Sequence, residues 1–339
     1  MSSLIFKQNK IKVLLTGGSG FIGTNLSDWL IKNNIVFINI DINQPKIIDH
    51  RNYWENIDMR NCADLMKIVK KFKPTHVLHL AADLGMDHRN LDNLQCNITG
   101  IDNLIEAVKS VNSVQRIIFV SSLLVCKNGY IPNNDTDYCP PNYYGESKVI
   151  GEKKVRSSKL PCEWAIVRPT SIWGPWFDYS YKQFFQAIDN NRYMHITKNE
   201  FEKPACFVGN AVHILAKILF EKNSKINKGT FYIADFPWYS TKKWANTIQN
   251  ILNSKKIITA PFWLLKFLAR GGDLIKIIFR FDPPLTTFRL NNMMTGGSYH
   301  MDNTKEVVGE LPYDLNESVY LTSKWMYEKK MIKHKPKKI

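Results

Sequence analysis

The chain has 339 residues, 44% hydrophobic and 22% charged, with 46 Lys and Arg against 30 Asp and Glu and a formal charge of +16. That length admits one large domain, or one of about 200 residues with a smaller one appended, and the composition excludes disordered and collagen-like classes. A basic surface attracts anions of many kinds, but no nucleic-acid motif accompanies the charge, so nucleic acid is not an expected partner. Much of the charge is local, at Lys67, Lys70, Lys71 and Lys73 and in Lys329 to Lys338, and reads as solvated faces.

Lys7, Lys10 and Lys12 lead straight into Val13-Leu14-Leu15-Thr16-Gly17, a strand entering a glycine turn rather than a secretory leader. Strand-like runs follow at Lys12–Thr16, Val36–Ile40, His76–Leu80, Arg116–Ser121 and Glu163–Val167. Helical patterns separate them, at Phe21–Lys32, Cys62–Phe72, Leu94–Ser110 and Tyr143–Ser157. Asn61 with Asp64 three residues on signals a helix start, and Pro74 a stop. This alternation predicts an α/β fold, a doubly wound parallel sheet over residues 1–170. Afterwards Pro169, Gly174, Pro175, Pro204, Pro237, Pro261 and Pro312 break the pattern. A smaller C-terminal substrate-binding region is expected over 171–330, interleaved with the last sheet strands, followed by a basic tail over 331–339.

A membrane span needs about 20 mainly apolar residues. The nearest candidate, Ile257 to Phe281, is interrupted by Lys266, Arg270, Asp273 and Lys276. Within it, Phe262 to Arg270 is aromatic-rich and basic, a pattern that either rests on a membrane surface or packs into the substrate region or a dimer interface. Packing is the expectation, with a homodimer and no membrane contact. The six cysteines are scattered without a Cys-x-x-Cys pair, and the eight histidines lack ligand spacing. Reduced thiols, a cytoplasmic location and no metal are therefore expected.

The strongest local signal is Thr16-Gly17-Gly18-Ser19-Gly20-Phe21-Ile22-Gly23, a glycine fingerprint between a strand and a helix. Glycine permits the tight turn and lets backbone approach a pyrophosphate, while the helix offers its N-terminal amides to the anion. The second strand ends at Asp41, roughly 20 residues on, where an acid accepts from the adenosine ribose hydroxyls. No arginine follows to hold a 2′-phosphate, which favours NAD over NADP; the alternative role for Asp41 is a cap on the turn into Asn43-Gln44-Pro45.

Tyr144 and Lys148 stand four residues apart, on one helix face. Free tyrosine, with a pKa of about 10, is a poor base at neutral pH, and a fixed positive charge nearby favours phenolate. Tyr144 then exchanges a hydroxyl proton while a hydride moves at the carbinol carbon. Tyr143 lies off that face. The strand Ile117 to Ser122 delivers a hydroxyl to the carboxyl end of the sheet, where ligands sit in such folds, and Ser122 is the choice. Ser121 reads as a polar strand end.

In this order, the glycine loop, His79-Leu80-Ala81-Ala82, Asn97-Ile98-Thr99-Gly100, Ser121-Ser122 and Tyr144-x-x-x-Lys148 resemble the extended short-chain dehydrogenase/reductases. Arg168-Pro169-Thr170-Ser171-Ile172-Trp173-Gly174-Pro175 and Asp302-Asn303-Thr304-Lys305 extend the likeness over roughly residues 11 to 325. The chain thus resembles the NAD-dependent epimerase/dehydratase group, on a Rossmann-type fold, whose usual substrates are nucleotide sugars. The resemblance implies a cofactor site in which Gly17, Gly20, Phe21, Ile22 and Gly23 meet the pyrophosphate and Asp41 the ribose. It places Asp58 and Met59 near adenine, Leu80, Ala81 and Ala82 along the cofactor, and Tyr144 and Lys148 at the nicotinamide ribose. Pro169 to Ser171 would flank nicotinamide and substrate, and Asn97 would be a buried helix residue close to the lysine.

Three departures bear on the substrate. Leu123 and Leu124 follow Ser122 where dehydratases of the group carry an Asp-Glu pair; leucines cannot perform the elimination, so a dehydratase is not expected. Ser171 replaces the usual asparagine, and Lys203 to Asn210 replaces an Arg-Asp-rich stretch. The expected activity is NAD-dependent epimerisation of a nucleotide sugar at C4 through a transient keto sugar. The alternative is an NAD-dependent dehydrogenase or keto-reductase of a sugar nucleotide or other small substrate. Trp173 and Trp176 either stack on a base or pack in the core, with packing expected.

Overall fold

The computed structural model describes residues 11–338 except 87, 178–179, 196–201, 280–282, 284–285, 288–289 and 291–299. Lys7, Lys10, Phe281 and the last residue of the tail, Ile339, lie outside the described residues. The chain divides into two compact units. The first comprises Met1–Ile172, Val208–Ala234 and His300–Pro312; the second comprises Trp173–Phe207, Asp235–Tyr299 and Tyr313–Ile339.

In the first unit, β1 (Lys12–Thr16), β2 (Val36–Ile40), β3 (Trp54–Glu55), β4 (His76–His79), β5 (Arg116–Val120), β6 (Glu163–Pro169) and β7 (Thr230–Ile233) form one sheet. Its order is β7-β6-β5-β4-β1-β2-β3, and every pairing is parallel. Register is set by pairs such as Val13 with Phe37 on one side and with His76 on the other. The strands are almost continuously buried, as a parallel sheet covered on both faces requires. Chain direction across the sheet reverses between β1 and β4, and the crevice beyond their carboxyl ends is where such folds take ligands.

The crossover helices are α1 (Phe21–Lys32), α2 (Cys62–Phe72), α3 (Gln95–Lys109) and α4 (Tyr143–Ser157), with α5 (Val208–Phe220) and α6 (Asp302–Val308) later in the chain. Local chemistry sets their ends. The Asn61 side chain accepts from the Asp64 amide at 3.3 Å, and Lys70 and Lys71 occupy the last turn of α2. Asn142 caps α4 by accepting from the Gly145 amide at 2.9 Å. Thr304 on α6 clamps β7, its hydroxyl donating to Tyr232 O at 2.9 Å and accepting from Tyr232 N at 3.2 Å. The Asp-x-x-Lys segment thus opens a helix seated on the sheet edge. β7 has no counterpart among the strands predicted individually, because its sequence Thr-Phe-Tyr-Ile lacks flanking alternation.

The second unit is built around Trp173, fully buried against Phe185, Phe207 and Trp244, with its indole N–H donating to Tyr239 Oη at 2.8 Å. Trp176 packs against Trp325 with the rings tilted by 55°, and Lys329 Nζ lies 5.1 Å from the Trp176 ring centroid. Residues of the basic tail dock here too: Asp189 accepts from the Lys333 amide and from His334, and Lys337 N donates to Ile251 O.

Candidate active site

The glycine loop leaves β1 at Thr16 and turns back over the sheet end. Gly17 has φ +73°, and a Cβ there would lie 2.5 Å from Ala81 N, so only glycine fits. The loop and the segment after β4 are stitched together: Leu80 N donates to Thr16 O at 3.0 Å, and Ala81 N to Thr16 Oγ1 at 3.2 Å. The same hydroxyl meets His79 Nδ1 at 2.7 Å. Complete burial, reinforced by the Lys148 charge, pushes the His79 pKa down to about 3 and keeps the ring neutral.

Sequence reasoning passed over Asn39, which holds the loop's next two residues. Its buried Oδ1 accepts from Gly18 N at 2.8 Å, and its Nδ2 donates to Ser19 Oγ at 3.2 Å. The carboxylate of Asp41 takes Ser19 N on one oxygen at 3.0 Å and Asn43 N on the other at 2.9 Å. Asp41 therefore caps the turn into Asn43 and also sits against the glycine loop. Burial raises its pKa against these amide bonds.

Helix α1 starts at Phe21 behind Gly20, with no side-chain cap and no acid in its first turn. A helix start without an acid in its first turn suits a bound diphosphate, which the helix dipole favours. These residues fit a dinucleotide. Farther along, Asp58 is bound by Arg60, whose Nη2 lies 2.6 Å from Oδ2, and this pairing lowers the Asp58 pKa. Met59 is buried in the core, and its carbonyl accepts from Asn103 at 2.9 Å. Leu80, Ala81 and Ala82 are partly exposed at the sheet end.

Three residues on one face of α4 meet three successive positions at the end of β5. The Tyr144 phenol is buried, and the neighbouring Ser122 hydroxyl draws its pKa down. Lys148 Nζ donates to Val120 O at 3.2 Å and lies 5.8 Å from the Tyr144 ring centroid. Ser121 Oγ donates to Glu152 Oε1 at 2.6 Å. Tyr144, Lys148 and Glu152 recur every four residues, so one helix face carries all three. A Cβ on Gly145 would strike Leu124 O, so this glycine lets the turn after Ser122 press against the helix. Ser122 itself caps that turn, accepting from Leu124 N at 3.1 Å.

The electrostatics differ from the expectation that Lys148 draws the phenol's pKa down. Burial raises the Tyr144 pKa, with the Ser122 hydroxyl pulling the other way. Burial also pushes Lys148 down, to about 8, against the opposing fields of Cys96 and Glu152. Desolvation is the largest cause for both because both groups are enclosed.

Glu152 and Arg168 are a second pair that sequence reasoning left without a role. Arg168 Nε and Nη2 reach the two Glu152 oxygens at 2.9 and 2.7 Å, and both side chains are almost wholly buried. Tyr232 accepts from Arg168 at 2.8 Å, the Asp135 carbonyl accepts at 2.6 Å, and Tyr138 donates to Glu152 at 3.0 Å. The fourfold spacing from Lys148 was the signal that could have found Glu152. Asn97 plays a similar part nearby. Buried, it donates to Ser147 Oγ and Asp83 O, both at 3.0 Å, and accepts from Asp83 N at 2.8 Å, tying the loop after β4 to α4. Pro169 ends β6, Thr170 donates to Ile233 O at 2.7 Å, and Ser171 is exposed.

Residues 13–226 match the model of the NAD dependent epimerase/dehydratase family. The human short-chain dehydrogenase/reductase family 42E member 1 is 28% identical over 92% of this chain and 87% of its own length. The N-acetyl-α-D-glucosaminyl-diphospho-ditrans,octacis-undecaprenol 4-epimerase of Escherichia coli O157:H7 is also 28% identical, over 72% of this chain and 73% of that one. In fold, the chain is similar to the UDP-glucose 4-epimerase of Thermotoga maritima solved with UDP-glucose, with a TM-score of 0.72 and 19% identity over 94% of this chain and 99% of the other.

Proposed function

The chain belongs to the NAD dependent epimerase/dehydratase family, and from that membership we propose that it is an NAD-dependent 4-epimerase of a nucleotide sugar. The observation that carries the reading is the buried Tyr144, with Lys148 Nζ 5.8 Å from its ring centroid and the Ser122 hydroxyl lowering its pKa, at the carboxyl end of β5. NAD, when bound, supplies the hydride acceptor and returns the hydride. Gly17 to Gly23 would hold its diphosphate and Asp41 its ribose, while Lys148 would hold the nicotinamide ribose. Tyr144 Oη takes the C4 hydroxyl proton, and Ser122 orients the same oxygen. Inverting one carbon by oxidation and re-reduction needs a group that can accept and then return a single proton, and one phenol serves both steps. Leu123 and Leu124 leave no acid for elimination, so the keto sugar keeps its C6 oxygen.

A second reading, a net dehydrogenase or keto-reductase, is favoured by one observation: the human relative that spans 92% of the chain is named as a dehydrogenase/reductase. Incubation of the purified protein with NAD and a panel of diphosphate-linked hexoses, UDP-hexoses foremost, separates the two. The panel includes a polyprenyl-diphosphate-linked hexosamine, because the E. coli relative is named for one. A C4 epimer seen by NMR without accumulating NADH is the expected result. NADH formed in step with a keto product supports the dehydrogenase, and a 4-keto-6-deoxy product would overturn the reading of the leucines.

A further inference from the structure

The helix Phe262–Phe279 of the second unit has two apolar faces. Leu265 and Ala269 are buried and cluster with Ala260 and Leu290. Trp263, Phe267, Leu274 and Ile278 recur at intervals of four, seven and four, which aligns them on one stripe of a 3.6-residue helix. They are 71%, 72%, 58% and 60% exposed. Single exposed apolar residues are ordinary, whereas a stripe of large ones marks an interaction surface. Packing into the substrate-binding region, one half of the packing expectation, thus describes only the Leu265–Ala269 side.

Charge indicates what meets the stripe. Arg270 follows Phe267 by three residues and precedes Leu274 by four, so an exposed cation lies within the stripe. Exposed Lys266 flanks it, its Nζ 4.9 Å from the Phe262 ring centroid. A second copy is a poor fit, because Arg270 stands at the middle of the stripe. Two-fold pairing of the stripe, parallel or antiparallel, would press it against its own copy, and enclosed like charges repel. An anionic lipid surface fits all of it. Tryptophan and phenylalanine enter the headgroup boundary, and the basic side chains meet acidic headgroups. The whole chain carries the matching sign, at +16. Among the described residues no helix is long and apolar enough to cross a membrane.

We propose that this helix lies in the plane of an anionic membrane surface, inserting the Trp263–Ile278 stripe between headgroups. The test is co-sedimentation of the full chain with phosphatidylcholine vesicles made with and without phosphatidylglycerol. The chain should pellet with the anionic vesicles, and less so as salt rises. Replacing both aromatics, Trp263→Ser with Phe267→Ser, should lower partitioning by at least about tenfold while leaving NAD binding and the unfolding midpoint intact, since both sites are exposed. Lys266→Glu with Arg270→Glu should weaken binding to the anionic vesicles as well. Three outcomes overturn the proposal. The chain stays in the supernatant with anionic vesicles, or the aromatic variant binds as the parent does. In the third, the stripe proves to hold a second copy: the parent is dimeric by ultracentrifugation, the aromatic variant monomeric, and neither binds vesicles.

Discussion

Ser121 and Glu152 are joined by a 2.6 Å hydrogen bond that ties the end of β5 to α4 one turn beyond Lys148. Ser122, the next residue, lowers the pKa of Tyr144. The reactive face of α4 is therefore registered on the strand by a buried carboxylate that itself is neutralised by Arg168.

Glu152→Ala should destabilise the fold by about 3–5 kcal/mol, because it leaves Arg168 buried and uncompensated. Urea unfolding measures this. Ser121→Ala is the milder variant, since Glu152 keeps Arg168, Tyr138 and its other partners. It should lower turnover severalfold while leaving the NAD dissociation constant and the unfolding midpoint nearly unchanged. Equal losses in all three would show that Ser121 supports the fold rather than the alignment of Ser122 with Tyr144.

Tyr144→Phe removes one hydroxyl from a packed ring. General acid–base groups contribute about 10²–10⁴-fold, so turnover should fall by that much with little change in NAD affinity. Tyr143 is 42% exposed, and Tyr143→Phe should be nearly silent. Steady-state kinetics and calorimetry check both variants. A silent Tyr144→Phe beside an inactive Tyr143→Phe would reverse the assignment.

Acid should destabilise the chain earlier than carboxylate titration alone requires. Burial holds His79 at about 3 and His76 at about 4, whereas both take up protons near 6.5 when unfolded. The unfolded state then binds more protons as pH falls below about 6.5, so stability falls with pH until the folded values are passed. Each histidine contributes up to about 1.4 kcal/mol per pH unit at full slope. Unfolding midpoints measured between neutral pH and 5 should drop, and His79→Asn should flatten the drop. A flat profile in the parent would refute the burial argument.

Asp41 at the glycine loop, with no arginine beside it, should make NAD(H) bind at least tenfold tighter than NADP(H), about 1.4 kcal/mol. Asp41→Ala should narrow the gap and also weaken both cofactors, since Ser19 loses its acceptor. Calorimetry with the two cofactors tests this, and equal affinities in the parent would rule out the ribose role.

What the sequence determined by itself is local and periodic. Lys12–Thr16, Val36–Ile40, Phe21–Lys32, Cys62–Phe72 and Tyr143–Ser157 coincide with the predicted elements because side-chain period and capping act within a few residues. For the same reason the glycine turn and the Tyr144–Lys148 spacing are legible on one short stretch of chain. Tertiary structure decided what depends on distant neighbours. It set β7 beside β6, placed Asn39 against Gly18 and closed Arg168 on Glu152. It also left one face of Phe262–Phe279 in solvent, where sequence alone shows only that the helix is apolar on more than one side. The direction of the Tyr144 pKa belongs to this second group: spacing reveals the lysine, but the desolvation that raises the phenol arises only when the chain folds over it.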